Sequence, residues 1–79
     1  MQHNLIPLNI LPMGEKAKVK ALALSGPDRR RLLDLGLIIN TVVEALSKSP
    51  SGDPVAYYIR GAVIAIRLED AAKILVEAI

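Results

Sequence analysis

The residues of this sequence that could carry chemistry are few. The chain has no cysteine and a single histidine, His3. Thiolate nucleophiles, catalytic triads and sites built from several histidines are therefore excluded. The carboxylates are scattered, and the sequence contains no glycine-rich phosphate loop. The composition predicts a protein that is not an enzyme, with no cofactor and no metal site of its own.

The amino terminus contains one pattern with metal-binding geometry. In Met1-Gln2-His3 the terminal amine, two amides and the imidazole can form a planar four-nitrogen site that suits Cu(II) or Ni(II). Such a site does not favour Fe(II). A terminus with an incidental histidine is the favoured interpretation, and incidental Cu(II) binding is the alternative.

Three consecutive arginines, Arg29, Arg30 and Arg31, form the densest charge in the chain. They could bind an anion or nucleic acid. The favoured interpretation is the solvated face of a short helix, in which Arg30 and Asp34 form an i,i+4 pair. The net charge is only +2 and the chain has two aromatic residues, so nucleic acid is not expected as a partner.

The arginines belong to the one stretch with the start and stop signals of a helix. Ser25 or Gly26 can cap a helix over Pro27–Gly36, and the final glycine suits the left-handed conformation that ends helices. Leu37 can then fold back onto Leu32. A helix of about two to three turns is too short to be stable alone, so it must pack on another element.

The rest of the chain predicts strands separated by turn formers. The predicted strands are Lys16–Leu22, Val42–Lys48, Val55–Arg60, Val63–Leu68 and Ile74–Ala78. One helical turn is predicted over Glu69–Lys73, and residues 1–10 are predicted to be a lead-in segment. This pattern predicts a single, mainly β domain over residues 1–79, a small five-stranded β-barrel with one short α-helix after the first strand.

Six short segments of the chain form a pattern that is specific when they are taken together: Leu11–Glu15, Arg30–Leu37, Thr41–Glu44, Gly52–Val55, Arg60–Gly61 and Glu69–Ala71. In order and spacing, these segments resemble the FeoA family of bacterial ferrous iron transport. The resemblance runs from Leu11 to the end of the chain and implies an SH3-like barrel. The family usually has Pro-Gly where this chain has Ile39-Asn40, and asparagine can replace the glycine because it tolerates left-handed backbone.

The resemblance implies a cytosolic accessory protein that modulates or assembles the FeoB membrane transporter by protein contact. No nucleic-acid partner and no direct membrane insertion are expected, since no apolar run approaches the roughly 20 residues that span a bilayer. Candidate partner-binding residues are the exposed ones near the matched motifs: Arg30, Arg31, Asp53, Pro54, Tyr58, Arg60 and Arg67. For each residue singly, solvation, turn formation or cross-strand pairing is the favoured role.

Other functions stay open at this point. The same small barrel resembles the C-terminal domain of iron-dependent repressors, so a stand-alone regulatory module is the alternative function. The resemblance implies that the cytosolic part of FeoB is a GTPase domain, so a third alternative is GTPase activation with Arg29, Arg30 or Arg31 as an arginine finger. Weak self-association through an exposed Leu46 is a further alternative. The family's association with iron also leaves direct binding of a transition metal open.

Overall fold

Six antiparallel strands form one sheet in the computed structural model, which describes residues 4–79. The strands are β1 (Leu5–Pro7), β2 (Lys16–Leu22), β3 (Val42–Lys48), β4 (Val55–Ile59), β5 (Ala62–Ile66) and β6 (Ile74–Ala78). The helices are α1 (Gly26–Asp34) and α2 (Leu68–Ala71), and a 3₁₀ turn spans Leu8–Ile10. The strand order is β1-β6-β2-β3-β4-β5, so β1 and β5 are the edges.

The segment before β2 contributes a strand that the sequence analysis missed. Residues 1–10 were predicted to be a lead-in, yet β1 pairs with β6 and Leu8 is fully buried. The five-strand prediction is therefore wrong by one strand. Three residues are too few to show an alternating pattern, and Pro7 argued against a strand, although edge strands tolerate proline.

The hairpin between β4 and β5 turns one residue earlier than predicted. Ile59 lies opposite Ala62, and the two turn residues, Arg60 and Gly61, have φ of 50° and 84°. Positive φ at both positions is the type I′ turn that suits the twist of a hairpin. Arginine seldom adopts positive φ, so the residue types did not predict a turn at this position. The predicted strands Val55–Arg60 and Val63–Leu68 are corrected accordingly.

The end of α1 confirms the predicted stop signal. Gly36 has φ of 100°, and its N–H donates to the Leu33 carbonyl at 3.0 Å. The Leu37 N–H donates to the Leu32 carbonyl, also at 3.0 Å. These two bonds form a Schellman motif. Leu32 and Leu37 are both buried, so the chain folds back after the helix and anchors α1 to the sheet.

The core lies beneath the inner face of the sheet. Alternation along β2, β3 and β4 sends every second side chain inward, including Val19, Val43 and Tyr57, all of which are fully buried. The Tyr57 hydroxyl donates to the Leu8 carbonyl at 3.3 Å. Burial raises the pKa of Tyr57 to about 12. The bond ties the 3₁₀ turn to the centre of the sheet.

Candidate protein-interaction site

A shallow groove of about 240 Å³ opens on the outer face of the sheet. It crosses β2, β3 and β4 and ends at the β4–β5 turn. Its exposed or half-buried walls come from Lys16, Val42, Glu44, Tyr58, Arg60 and Gly61. Two of these residues, Tyr58 and Arg60, belong to the predicted partner-binding set.

Strand register places the groove residues side by side. Lys16 lies opposite Glu44, and Glu44 lies opposite Tyr58. Tyr58 in turn lies opposite Val63. Because directly opposite residues share one face of a sheet, all four side chains lie on the same face. This face is the outer one, since the neighbouring residues Val43 and Tyr57 point into the core. Across the strands from β2 to β5, the row therefore presents a cation, a carboxylate, an aromatic ring and an aliphatic side chain. The aromatic residue, Tyr58, is 45% exposed.

The end of α1 reaches this groove through Arg60. The Arg60 side chain lies across Gly36, where an added Cβ would stand only 2.6 Å from Arg60 Cδ. Within residues 4–79, the Arg60 side chain forms no hydrogen bond or ion pair. Its guanidinium is a positive charge beside a helix C-terminus, which is an electrostatically favourable position. Arg60 is thus held by packing, with its charged group free to contact a partner.

Asp53, Pro54 and Arg67 lie at the other end of the β4–β5 hairpin. Asp53 Oδ1 accepts a hydrogen bond from the Leu68 N–H at 3.1 Å, so this carboxylate caps the start of α2 from a neighbouring loop. Pro54 is half-buried and follows a cis peptide bond. Arg67 is exposed and directly precedes α2. Asp53 and Pro54 thus hold the loop, whereas the Arg67 side chain is open to solvent.

The three arginines of α1 have different surroundings. Arg29 donates to the Leu22 carbonyl at 3.1 Å. Arg31 forms a 3.1 Å ion pair with Asp70 of α2. Asp70 itself is only 8% exposed. The predicted pair between Arg30 and Asp34 is not formed in the part of the chain that the structure describes. Arg30 is therefore the free member, while Arg29 and Arg31 hold α1 in place.

Sequence reasoning missed the groove residues on β2 and β3. Lys16, Val42 and Glu44 were assigned to strands without a functional role. The available signal was Val42, an apolar residue at an outward position of β3 that is 44% exposed. Leu46, predicted to be exposed, is 38% exposed. The apolar connector after α1 is also exposed at Ile38 and Ile39, at 46% and 49%.

The described residues contain neither a clustered metal site nor a membrane-spanning helix. No group of three or more histidine, aspartate or glutamate side chains in residues 4–79 is arranged to hold a metal ion. The Met1-Gln2-His3 pattern lies outside the described residues. Over the same range, none of the helices has the length and apolar character required to cross a bilayer.

The FeoA domain family model matches residues 6–78 of the chain. The chain is also 35% identical over 72 residues to an Fe(2+) transport protein A/Fe(2+) transporter FeoB fusion protein of Porphyromonas gingivalis. That match includes 91% of this chain and 8% of the fusion protein. The chain therefore spans less than a tenth of the length of this relative.

Solved structures of FeoA proteins have the same fold. The FeoA-like protein of Clostridium acetobutylicum gives a TM-score of 0.88 at 33% identity, with 100% of this chain and 91% of that chain covered. FeoA of Chlorobium tepidum gives 0.89 at 32% identity, with 94% and 70% covered. The FeoA of Stenotrophomonas maltophilia, an SH3 domain protein, gives 0.76 at 27% identity, with 89% and 87% covered. The predicted mainly β, SH3-like fold is confirmed.

A manganese-dependent transcriptional repressor shares the fold as well. Its TM-score is 0.87 at 15% identity, and the match covers all of this chain and 44% of the repressor. At this identity the likeness concerns the fold alone.

Proposed function

Because this chain belongs to the FeoA family, we propose that it is a cytosolic accessory protein of ferrous iron uptake, one that modulates or assembles a FeoB-type transporter by protein contact. The observation that carries the proposal is the P. gingivalis fusion, in which a segment similar to this chain is covalently joined to a FeoB transporter. Two parts of one polypeptide are held at high effective concentration, which favours a functional contact between them.

The surface of the described residues supports binding rather than catalysis. The groove, at about 240 Å³, is smaller than the roughly 300–1,000 Å³ of typical small-molecule sites. Its exposed wall combines Tyr58 and Arg60, and tyrosine and arginine are enriched at the energetic centres of protein interfaces. We propose that these two residues form the centre of the contact, with Arg30 and Arg67 as further free cations. Arg31, Asp53 and Pro54 support the surface from behind.

The test reverses the charge of Arg60. We expect Arg60→Glu to weaken transporter-dependent iron uptake and to lower recovery of the transporter from membranes with a tagged copy. A carboxylate there would repel an acidic partner surface and place a negative charge beside the C-terminus of α1. Lys73→Glu makes the same charge change at an exposed cation on the turn before β6 and serves as the matched control.

Two results would count against the proposal. If the untagged background and the tagged wild-type protein recover equal amounts of transporter, the accessory role is wrong. If Arg60→Glu, at normal protein level and with a normal melting temperature, supports normal uptake, the site is wrong. Both measurements use the full chain.

The alternative is a regulatory module, favoured by the fold shared with the manganese-dependent repressor. The same purification distinguishes the two, because recovery of a transcription regulator instead of the transporter would support regulation. An arginine-finger role is tested by GTP hydrolysis of the FeoB cytosolic domain with wild-type protein and with Arg30→Ala. Arg30 is the variant of choice because Arg29 and Arg31 are engaged in contacts within this chain.

A further inference from the structure

The two edges of the sheet differ in how well they are protected from pairing. The β1 edge has three residues and includes Pro7. The β5 edge has five residues, Ala62–Ile66, all of them apolar and none of them proline. Natural sheets usually blunt an exposed edge with charge, proline or a bulge. Within the described residues, β5 pairs with β4 alone and carries none of these devices.

The geometry of the turn determines which backbone groups of β5 are free. A two-residue type I′ turn makes its flanking residues, Ile59 and Ala62, a hydrogen-bonded pair. In an antiparallel ladder the bonded positions then alternate. Ala62, Ile64 and Ile66 therefore bond to β4. The N–H and C=O groups of Val63 and Ala65 point away from the sheet.

These outward groups are accessible to another chain. Val63 is 65% exposed and Ala65 is also exposed. Neither residue forms a backbone hydrogen bond to a loop, turn or helix within residues 4–79. Two donors and two acceptors at alternate positions are the template to which an extended peptide adds as a strand.

Positive charge lies at both ends of this template. Arg60 precedes β5 across the turn and Arg67 follows its last residue, and both are exposed. Neither is engaged in an ion pair within the part of the chain that the structure describes. An added strand would thus lie along the apolar β5 with a cation of this chain near each end, an arrangement that complements a segment with carboxylates at its ends.

We propose that the free edge of β5 binds an extended segment of a partner protein by β-strand addition. The segment has small or β-branched residues at its centre and acidic residues at both ends. The inference rests on the proposed function, since it specifies how the accessory contact is made. Such a strand would also continue the outward row that ends at Tyr58 and Val63.

A second copy of this chain fits the edge less well. Antiparallel pairing of two β5 strands, with Ile64 opposite its own copy, joins Val63 to Ala65 in hydrogen-bonded pairs. The same register puts Arg67 of one copy opposite Gly61 of the other, next to Arg60. Like charges brought together in this way disfavour the symmetric dimer, so the segment that binds this edge belongs to a different protein.

The first test is an NMR titration of the ¹⁵N-labelled full chain with a capped heptapeptide. The peptide has glutamate at both ends and alternating valine and threonine between them. We expect shifts along β5 and slower hydrogen exchange at the amides of Val63 and Ala65. A peptide with lysine at both ends should bind at least about tenfold more weakly. Equal binding of the two peptides, or unchanged exchange at these amides, would overturn the proposal.

The variants separate the edge from the rest of the surface. Val63→Pro removes an outward N–H and leaves every N–H that bonds β4 in place, so it should abolish peptide binding. Val63→Thr keeps the backbone donor and the β-branched shape and should bind as the wild type does. If Val63→Pro fails to fold, hydrogen exchange at Val63 and Ala65 of the wild type, with and without the peptide, still tests whether the peptide pairs with β5. If the protein forms a concentration-dependent dimer that excludes the peptide, the β5 edge binds a second copy of this chain, and the proposal of a different partner protein is wrong.

The transporter experiment distinguishes this inference from the proposed function. Recovery of the transporter with wild-type protein and its loss with folded Val63→Pro would support both. Equal recovery with the two proteins would refute the β5 contact and leave the accessory role intact. If the wild type binds the glutamate peptide but recovers no transporter, the edge binds strands and the proposed function is wrong.

Discussion

At the scale of single residues, Tyr57 places a polar group at the centre of an aliphatic core. Its ring is fully buried, and its hydroxyl donates to the Leu8 carbonyl. Since Leu8 belongs to the 3₁₀ turn and Tyr57 to β4, the bond joins segments far apart in the chain. Burial raises the pKa of Tyr57 to about 12, because a phenolate there would lose its hydration.

This pKa predicts a loss of stability at alkaline pH. Below pH 10 the tyrosine is protonated in both the folded and the unfolded chain. Between pH 10 and about 12 only the unfolded chain releases the proton, so the free energy of unfolding falls as pH rises, by about 2 to 3 kcal/mol in total. Denaturant melts from pH 9 to 12 would measure it. Tyr57→Phe should lack this component of the decline, and an identical decline in that variant would contradict the assignment.

A second residue-scale prediction concerns Asp53. Its Oδ1 accepts the Leu68 N–H at the start of α2, so Asp53→Ala leaves that donor without its acceptor. We expect a loss of about 1 kcal/mol in the free energy of unfolding. Asp53→Asn keeps an acceptor oxygen and should lose markedly less. Urea titrations of the wild type and the two variants would measure these free energies. Equal losses in the two variants would show that the Asp53–Leu68 hydrogen bond does not contribute to stability.

At the scale of elements, α1 is fixed to the molecule at several points. Leu32 and Leu37 enter the core, Arg29 and Arg31 bind Leu22 and Asp70, and Gly36 lies beneath Arg60. A nine-residue helix has little stability of its own. Its position therefore depends on these contacts, and the last of them links the helix end to the groove.

The link predicts that Gly36 and Arg60 are energetically coupled. Gly36→Ala would force an L-residue into φ of 100° and place its Cβ 2.6 Å from Arg60 Cδ. We expect a loss of about 1 to 3 kcal/mol. In a double-mutant cycle, Arg60→Ala should recover the part due to the collision and leave the part due to backbone strain. Strictly additive losses would show that the arginine moves aside without cost.

The elements also show what the sequence could predict. The stop of α1 and the left-handed turn at Asn40, with φ of 74°, were predictable because glycine and asparagine have a local conformational preference. The β1 strand and the Arg60–Gly61 turn were not, since both depend on pairing with distant or neighbouring strands. For the candidate site, the sequence analysis named Tyr58 and Arg60, which line the groove, but Lys16 and Glu44 join them only through strand register.

At the scale of the whole molecule, the sheet is open at two edges with opposite character. The short β1 strand covers one side of β6, and the apolar β5 strand leaves its own outer side uncovered. One edge is thus a short strand that contains Pro7, and the other is a five-residue apolar strand with no proline. The groove and the free edge share the β4–β5 hairpin, so the surface proposed for binding is concentrated at one side of the sheet.

The pairing of β1 with β6 leads to a prediction about truncation. Removal of residues 1–7 would delete β1 and expose the unpaired side of β6. We expect a lower melting temperature and self-association that grows with protein concentration, because exposed edges pair with one another. Removal of residues 1–3 alone retains β1 and serves as the control. A monomeric 8–79 chain with an unchanged melting temperature would show that β1 does not protect the sheet.

The two-residue turn at Arg60 and Gly61 has a consequence for how this surface could change. Strand positions alternate with a period of two, so a slip of one residue in the pairing of β5 with β4 would move every side chain of β5 to the opposite face of the sheet. An inserted residue that caused such a slip would direct Ala62, Ile64 and Ile66 to the outer face of the sheet and turn Val63 and Ala65 toward the core. The buried Ile66 and the half-buried Ile64 oppose such a slip, so evolution could lengthen the loop while the pairing is kept and could vary the outward Val63 and Ala65 more readily than the inward residues.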